Sequence, residues 1–169
     1  MKRRRFLNST LYLFGLTLGL PLLGRARGLA EVPREEGTQS WLTWSEEEWR
    51  QRLPEDRFRI LRLEETEPPF SSPLLHEKRQ GHYCCAGCEL PLFTSTMKYD
   101  SGTGWPSFTS ALPERLGTRT DSKLFYPRTE YHCIRCRGHQ GHLFDDGPQP
   151  LKKRYCNNGL ALVFKPGEV

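Results

Sequence analysis

From Trp44 onward the apolar positions first follow a helical rhythm, then a β one. Ser45-Glu46-Glu47-Glu48 forms a capping box, in which a serine hydroxyl caps the third helical N–H and Glu48 reaches back. Three acids in one turn suit the positive end of a helix. Trp49 and Leu53, four apart, share the face that turns inward. Pro54 ends this helix and opens a second one carrying Phe58 and Leu61. Glu67-Pro68-Pro69-Phe70-Ser71-Ser72-Pro73 cannot stay helical and predicts an extended crossing. Past Gly81 come short β runs broken by glycine and proline: 82–85, 92–94, 124–126, 129–134, 142–144 and 160–165. The last run, Leu160-Ala161-Leu162-Val163-Phe164, is apolar on both faces and predicts a central strand. The expected fold is a mainly β domain of antiparallel strands behind short N-terminal helices.

The first thirty residues follow neither rhythm. Lys2-Arg3-Arg4-Arg5 precedes an uncharged, leucine-rich run from Phe6 to Gly24, and Gly28-Leu29-Ala30 offers small residues before a cut. That is the layout of a bacterial export signal, and Arg3-Arg4-Arg5-Phe6-Leu7 resembles the twin-arginine form. Left uncut, the apolar run is near the lower length for a membrane anchor. The expected location is therefore the periplasm or another exported site, membrane-anchored if the signal is retained. Residues 31–43 read as a linker and 44–166 as the single domain. Six of the 25 basic residues and none of the 20 acids lie in 1–30, leaving 19 bases against 20 acids and a net charge of −1. The basic pI belongs to the signal, so nucleic acid is not an expected partner.

Six cysteines remain to be assigned. Cys85-Ala86-Gly87-Cys88 and Cys133-Ile134-Arg135-Cys136 are two C-x-x-C knuckles, the spacing of a tetrahedral thiolate zinc site. A disulfide framework and a redox pair compete for the same spacing, and two matching knuckles favour zinc over both. Four thiolates leave no open position, so the ion, one per chain, is expected to be structural. Cys84 abuts a knuckle. Cys156 stands alone, either as a small buried apolar residue or as a nucleophile.

Four blocks in order bear on Cys156: Gly104-Trp105-Pro106-Ser107-Phe108, the second knuckle, His139-Gln140-Gly141-His142-Leu143-Phe144 and Arg154-Tyr155-Cys156-Asn157-Asn158. From about Trp44 to Phe164 the chain resembles the methionine-R-sulfoxide reductase family. The resemblance implies two antiparallel sheets with a zinc site away from the active site. It implies that Cys156 attacks the sulfoxide sulfur and becomes a sulfenic acid. His142 and Asn158 would serve the sulfoxide oxygen, Trp105 would wall the substrate methyl group, and His139 would support the substrate site. The chemistry agrees: a thiolate attacks sulfur while histidine supplies a proton near neutral pH. The two sulfoxide epimers need separate enzymes.

Two positions depart from the family pattern. Thr103 stands where many members carry a resolving cysteine, and Asn157 stands where an apolar residue is usual. Cys84 is the one spare thiol, and on a strand it points away from Cys85, which favours a buried structural role over a resolving one. The expected recycling is then direct reduction of the Cys156 sulfenic acid by an external thiol, thioredoxin-like or other. Oxidised proteins or peptides are the expected substrates, and the chain is expected to be a monomer. The competing reading is a non-enzymatic, zinc-clipped ligand-binding module using Trp105 alone.

Overall fold

The computed structural model describes residues 40–124 and 126–169. The expected export signal and the linker up to residue 39 lie outside the described residues. The linker's expected end at residue 43 is instead a short helix, α1 (Ser40–Thr43), whose Trp41 packs partly on the core.

Helix α2 (Glu46–Arg52) begins as its sequence requires. Ser45 Oγ accepts the Glu48 N–H, and Glu48 Oε2 accepts the Ser45 N–H at 2.7 Å. Trp49 is buried and Leu53 packs against the core at the helix end. Pro54 opens α3 (Glu55–Leu63), which buries Phe58, Ile60 and Leu61. Glu64, at φ 58°, turns the chain out of α3 in a left-handed conformation. The proline-rich crossing follows, ending in a 3-10 turn over Pro73–Leu75.

Two antiparallel sheets face each other across an aromatic core. The smaller contains β1 (Gly81–Cys85) between β2 (Pro91–Thr94) and β9 (Leu162–Pro166). The larger contains β3 (Lys98–Tyr99), β4 (Ser107–Phe108), β5 (Leu116–Asp121), β6 (Arg128–Cys133), β7 (His139–Phe144) and β8 (Arg154–Asn157). Their order is β3-β4-β8-β7-β6-β5. Phe93 of β2 stacks on Phe108 of β4 with centroids 4.1 Å apart, and meets Tyr131 and Tyr155 edge-on. Aromatic rings of both sheets thus interlock, each burying a large apolar area.

Two expectations need correction. The apolar run 160–165 is not a central strand: Gly159–Ala161 is a 3-10 turn, and β9 lies at the edge of its sheet. Its second apolar face borders a groove of about 570 Å³ walled by Pro73 and Leu74, so two-sided apolarity arises without a second flanking strand. Leu124 and Tyr126 are exposed and outside any strand, with Phe125 outside the described residues. The strand at that edge is β5, a polar and largely exposed run.

Candidate active site

Strand β8 alternates between the outer face of its sheet and the core. Tyr155 packs inward against Phe93 and Tyr131, so Arg154 and Cys156 turn to the outer face. Antiparallel register then builds a row across the sheet. Ser107, Cys156, His142, Glu130 and Arg119 are successive cross-strand partners on β4, β8, β7, β6 and β5. Opposite Asn157 sits Gly141, where an added Cβ would lie 1.9 Å from the Cys156 carbonyl oxygen. The strand bearing Cys156 therefore tolerates no side chain at that point of β7.

Above this row opens a cleft of about 120 Å³, walled by Thr66, Trp105, His142, Phe144, Cys156 and Asn158 among others. Pockets for drug-sized ligands run to roughly 300–1,000 Å³, so this one takes the end of a side chain. Cys156 is half-buried at its floor. Burial pushes its thiol up, against the Arg154 guanidinium charge and hydrogen bonds from Thr103 and Arg154. Arg154 is itself fixed by a two-pronged bond to Asp146, at 2.7 and 2.8 Å.

Trp105 is presented by a loop in which Gly102 and Gly104 take φ 71° and 91°. Its indole N–H donates to the Glu67 carbonyl at 3.1 Å, which sets the ring plane. Asn158 is buried: its Oδ1 accepts the Glu67 N–H, and its Nδ2 donates to the Gln140 carbonyl, each at 3.1 Å. The Glu67 carboxylate accepts the Gly159 and Leu160 amides. Burial raises the Glu67 pKa while these amides oppose it. One buried glutamate thus ties the crossing segment to both Trp105 and Asn158.

His142 Nε2 lies 2.7 Å from Asp121 Oδ2, which also binds Arg128 at 2.6 Å. Burial lowers the His142 pKa, and the Asp121 hydrogen bond raises it. His139 is buried behind His142, with ring centroids 5.5 Å apart, and its Nδ1 meets Glu130 Oε1 at 2.8 Å. Burial raises the Glu130 carboxyl, but hydrogen bonds from His132 and His139 outweigh it and hold the pKa at about 2.

The two knuckles meet in a separate, buried cluster. Cys85 and Cys136 sulfurs are 3.5 Å apart, as are those of Cys88 and Cys133, and all four lie within 4.8 Å. These separations exclude disulfides, whose sulfurs sit about 2.05 Å apart. Four thiolates at about 2.3 Å from a tetrahedral zinc would stand about 3.8 Å apart, so the donor set fits that ion. Both knuckles close alike: Glu89 and Arg137 follow at φ 58° and 62°, and each N–H returns to the first cysteine's carbonyl. Gln140 Nε2 approaches Cys85 Sγ at 3.4 Å, as an outer partner of the cluster.

The SelR domain matches residues 53–166. The chain is 46% identical over 125 residues to the peptide methionine sulfoxide reductase MsrB of Methanosarcina barkeri, covering 73% of this chain and 88% of that protein. It is 42% identical over 164 residues to the mitochondrial methionine-R-sulfoxide reductase B2 of Rattus norvegicus, covering 89% and 94%. MsrB of Hahella chejuensis is 46% identical over 121 residues, covering 71% and 87%. The chain belongs to the SelR, or methionine-R-sulfoxide reductase, family.

Within this SelR domain, Cys156, His142, Asn158 and Trp105 converge on one cleft. Cys85, Cys88, Cys133 and Cys136 converge on one cluster. His139, expected at the substrate, is buried 2% exposed and reaches the cleft only through His142. Cys84 is buried in the smaller sheet, where burial raises its thiol. Asn157 turns into the core, where it accepts the Tyr131 hydroxyl at 2.8 Å and donates to the Asn158 carbonyl at 2.8 Å. An amide therefore fills an apolar position without leaving buried polar groups unpaired.

Residue-by-residue reading of the sequence missed Glu67, Asp121, Glu130, Asp146 and the Thr103 contact. Asp146 and Arg154 lie eight residues apart, a separation that becomes a contact only across the turn between β7 and β8.

Proposed function

We propose that this SelR protein reduces methionine R-sulfoxide, in oxidised proteins or peptides, to methionine. Cys156 is the nucleophile in this reading and ends the half-reaction as a sulfenic acid, which an external thiol returns to the thiol. The observation that carries it is the meeting of Cys156, His142, Asn158 and Trp105 in a cleft sized for one side-chain end. Trp105 would take the S-methyl group against its indole face. His142 and the remaining N–H of Asn158 would meet the oxygen, so that only one epimer presents both ends correctly. His139 would act behind His142.

The thiol acidity fits this order of events. With burial holding the Cys156 thiol up, attack needs its proton removed, and His142 is the cross-strand partner able to take it. Thr103 in place of a resolving cysteine leaves its hydroxyl at Cys156, where it can hydrogen-bond the thiolate but form no disulfide. A thioredoxin-like protein or small thiol is then the reductant. Cys85, Cys88, Cys133 and Cys136 would hold one structural zinc ion that clips the two knuckles together. Residues 1–30 would direct export toward the periplasm, as a cleaved signal or an anchor, and the mature chain would work as a monomer.

The deciding assay offers both sulfoxide epimers of a capped methionine with dithiothreitol. Loss of the R epimer alone is the expected result. Consumption of both or neither would sink the assignment.

A further inference from the structure

Asp121 closes β5 at the rim of the cleft. Its Oδ2 contacts His142 Nε2 at 2.7 Å and Arg128 Nη2 at 2.6 Å, while Oδ1 accepts the Lys123 amide at 2.9 Å. Held by these three donors, the first of them the Lys123 amide, the carboxyl stays well below the usual range and is ionised at neutral pH. An ionised carboxylate only accepts hydrogen bonds, so the imidazole nitrogen facing it carries a hydrogen. The neutral ring of His142 is then the Nε2–H form. Its Nδ1 has no hydrogen-bond partner among the described residues, and the ring lines the cleft beside Cys156. A ring free to flip would present either nitrogen there, half of the time with the wrong proton.

Resting on the reductase reading above, we propose that Asp121 is a positioning residue. It fixes the His142 ring so that Nδ1 takes the proton from the Cys156 thiol and returns it to the sulfoxide oxygen. The balance closes within the site. Cys156 S–H gives its proton to Nδ1, and the freed electron pair bonds to the substrate sulfur. The oxygen takes that proton from Nδ1. The substrate S–O bond and the transient S–S bond then break as the hydroxyl passes to the Cys156 sulfur. Methionine sulfur is reduced by two electrons, Cys156 is oxidised by two, and no net proton is consumed.

The surroundings of His142 make Asp121 the group on which this depends. Glu130 stands opposite on β6 but is committed to His132, His139 and Arg119. Burial depresses the ring, and the charges of Arg128 and His139 depress it further; only Asp121 opposes them. Arg128 holds the Asp121 carboxylate in place.

The test uses the full chain and compares wild type with Asp121→Asn and Asp121→Ala. An asparagine carbonyl can still accept from Nε2–H, so Asp121→Asn keeps shape and removes charge. Two readouts are needed: kcat and KM for the R-sulfoxide across pH, and ¹⁵N NMR of the His142 imidazole. The expected result for Asp121→Asn is a kcat lower by about 10- to 100-fold with KM within about twofold. The His142 titration moves to lower pH by about one unit, and the neutral ring becomes a mixture of tautomers. Should Asp121→Ala fail to fold, Asp121→Asn carries the test. A reductase whose Asp121→Asn variant keeps tautomer, titration and kcat overturns the proposal alone. A wild-type protein inert toward R-sulfoxide overturns the reductase reading, even if NMR still finds Nε2–H.

Discussion

The four knuckle cysteines and Cys156 are the same residue in two opposite environments. The knuckle sulfurs are buried and meet one another, with Gln140 as an added donor to Cys85. Cys156 is half-open at a cleft, beside an arginine and a threonine hydroxyl. Both sets have neighbours within reach, so proximity alone does not distinguish them. What separates them is access: a closed set of four donors leaves no room for a substrate, whereas one thiol below a small opening has nothing else to bind. Cys84 is a third case, buried like the first set and solitary like the second.

The largest expected effect is on the closed side. Removing zinc with a chelator, or Cys88→Ser, should abolish the cooperative melt of the domain. The scale is set by the roughly 10–16 kcal/mol of apparent binding energy seen for structural zinc sites. An unchanged melting curve with no bound zinc would erase the contrast between the two environments. Next comes the open side: Cys156→Ser should lower kcat by at least about 10⁴-fold and change stability by less than about 1 kcal/mol. A third measurement separates the thiols by acidity. Alkylation of Cys156 by iodoacetamide should quicken about tenfold per pH unit from pH 6 to beyond 8, because a raised thiol pKa keeps the thiolate scarce until then. In the zinc-loaded protein the knuckle thiols should stay unlabelled throughout. The smallest effect falls on Cys84. Cys84→Ala should cost about 1–2 kcal/mol of stability and leave turnover with dithiothreitol unchanged. Mass spectrometry after one turnover should find a Cys156 sulfenic acid, and a Cys84–Cys156 disulfide would break the comparison.

Local signals read well in the sequence because local physics decides them. The Ser45–Glu48 capping box and the Pro54 boundary need only neighbours three or four residues away. The knuckles were legible from their spacing, and the site blocks through the family resemblance, which supplied partners that spacing alone does not. Strands β5 and β8 were not legible. β5 is an exposed edge of mixed polar residues, and β8 alternates with a buried asparagine where a hydrophobic residue would have marked the pattern. The run 160–165 misled for the converse reason, since an edge strand beside a groove needs apolar residues on both faces as much as a central one does. The sequence assigned no role to Asp121 or Glu67. Asp121 meets His142 across 21 residues, and Glu67 meets Asn158 across 91, so both acquire meaning only through tertiary contact.

Glu67's long reach also sets an order of assembly. All four knuckle cysteines precede residue 137, whereas the cleft cysteine comes at 156 and the amides that Glu67 holds at 159 and 160. A growing polypeptide therefore acquires all four clustered cysteines before Cys156 and the cleft around it. Trp105 and Asn158 are fastened only when the tail of the chain is laid against the crossing segment. The cleft around Cys156 is thus completed by residues that follow it in the chain, after all four knuckle cysteines are in place.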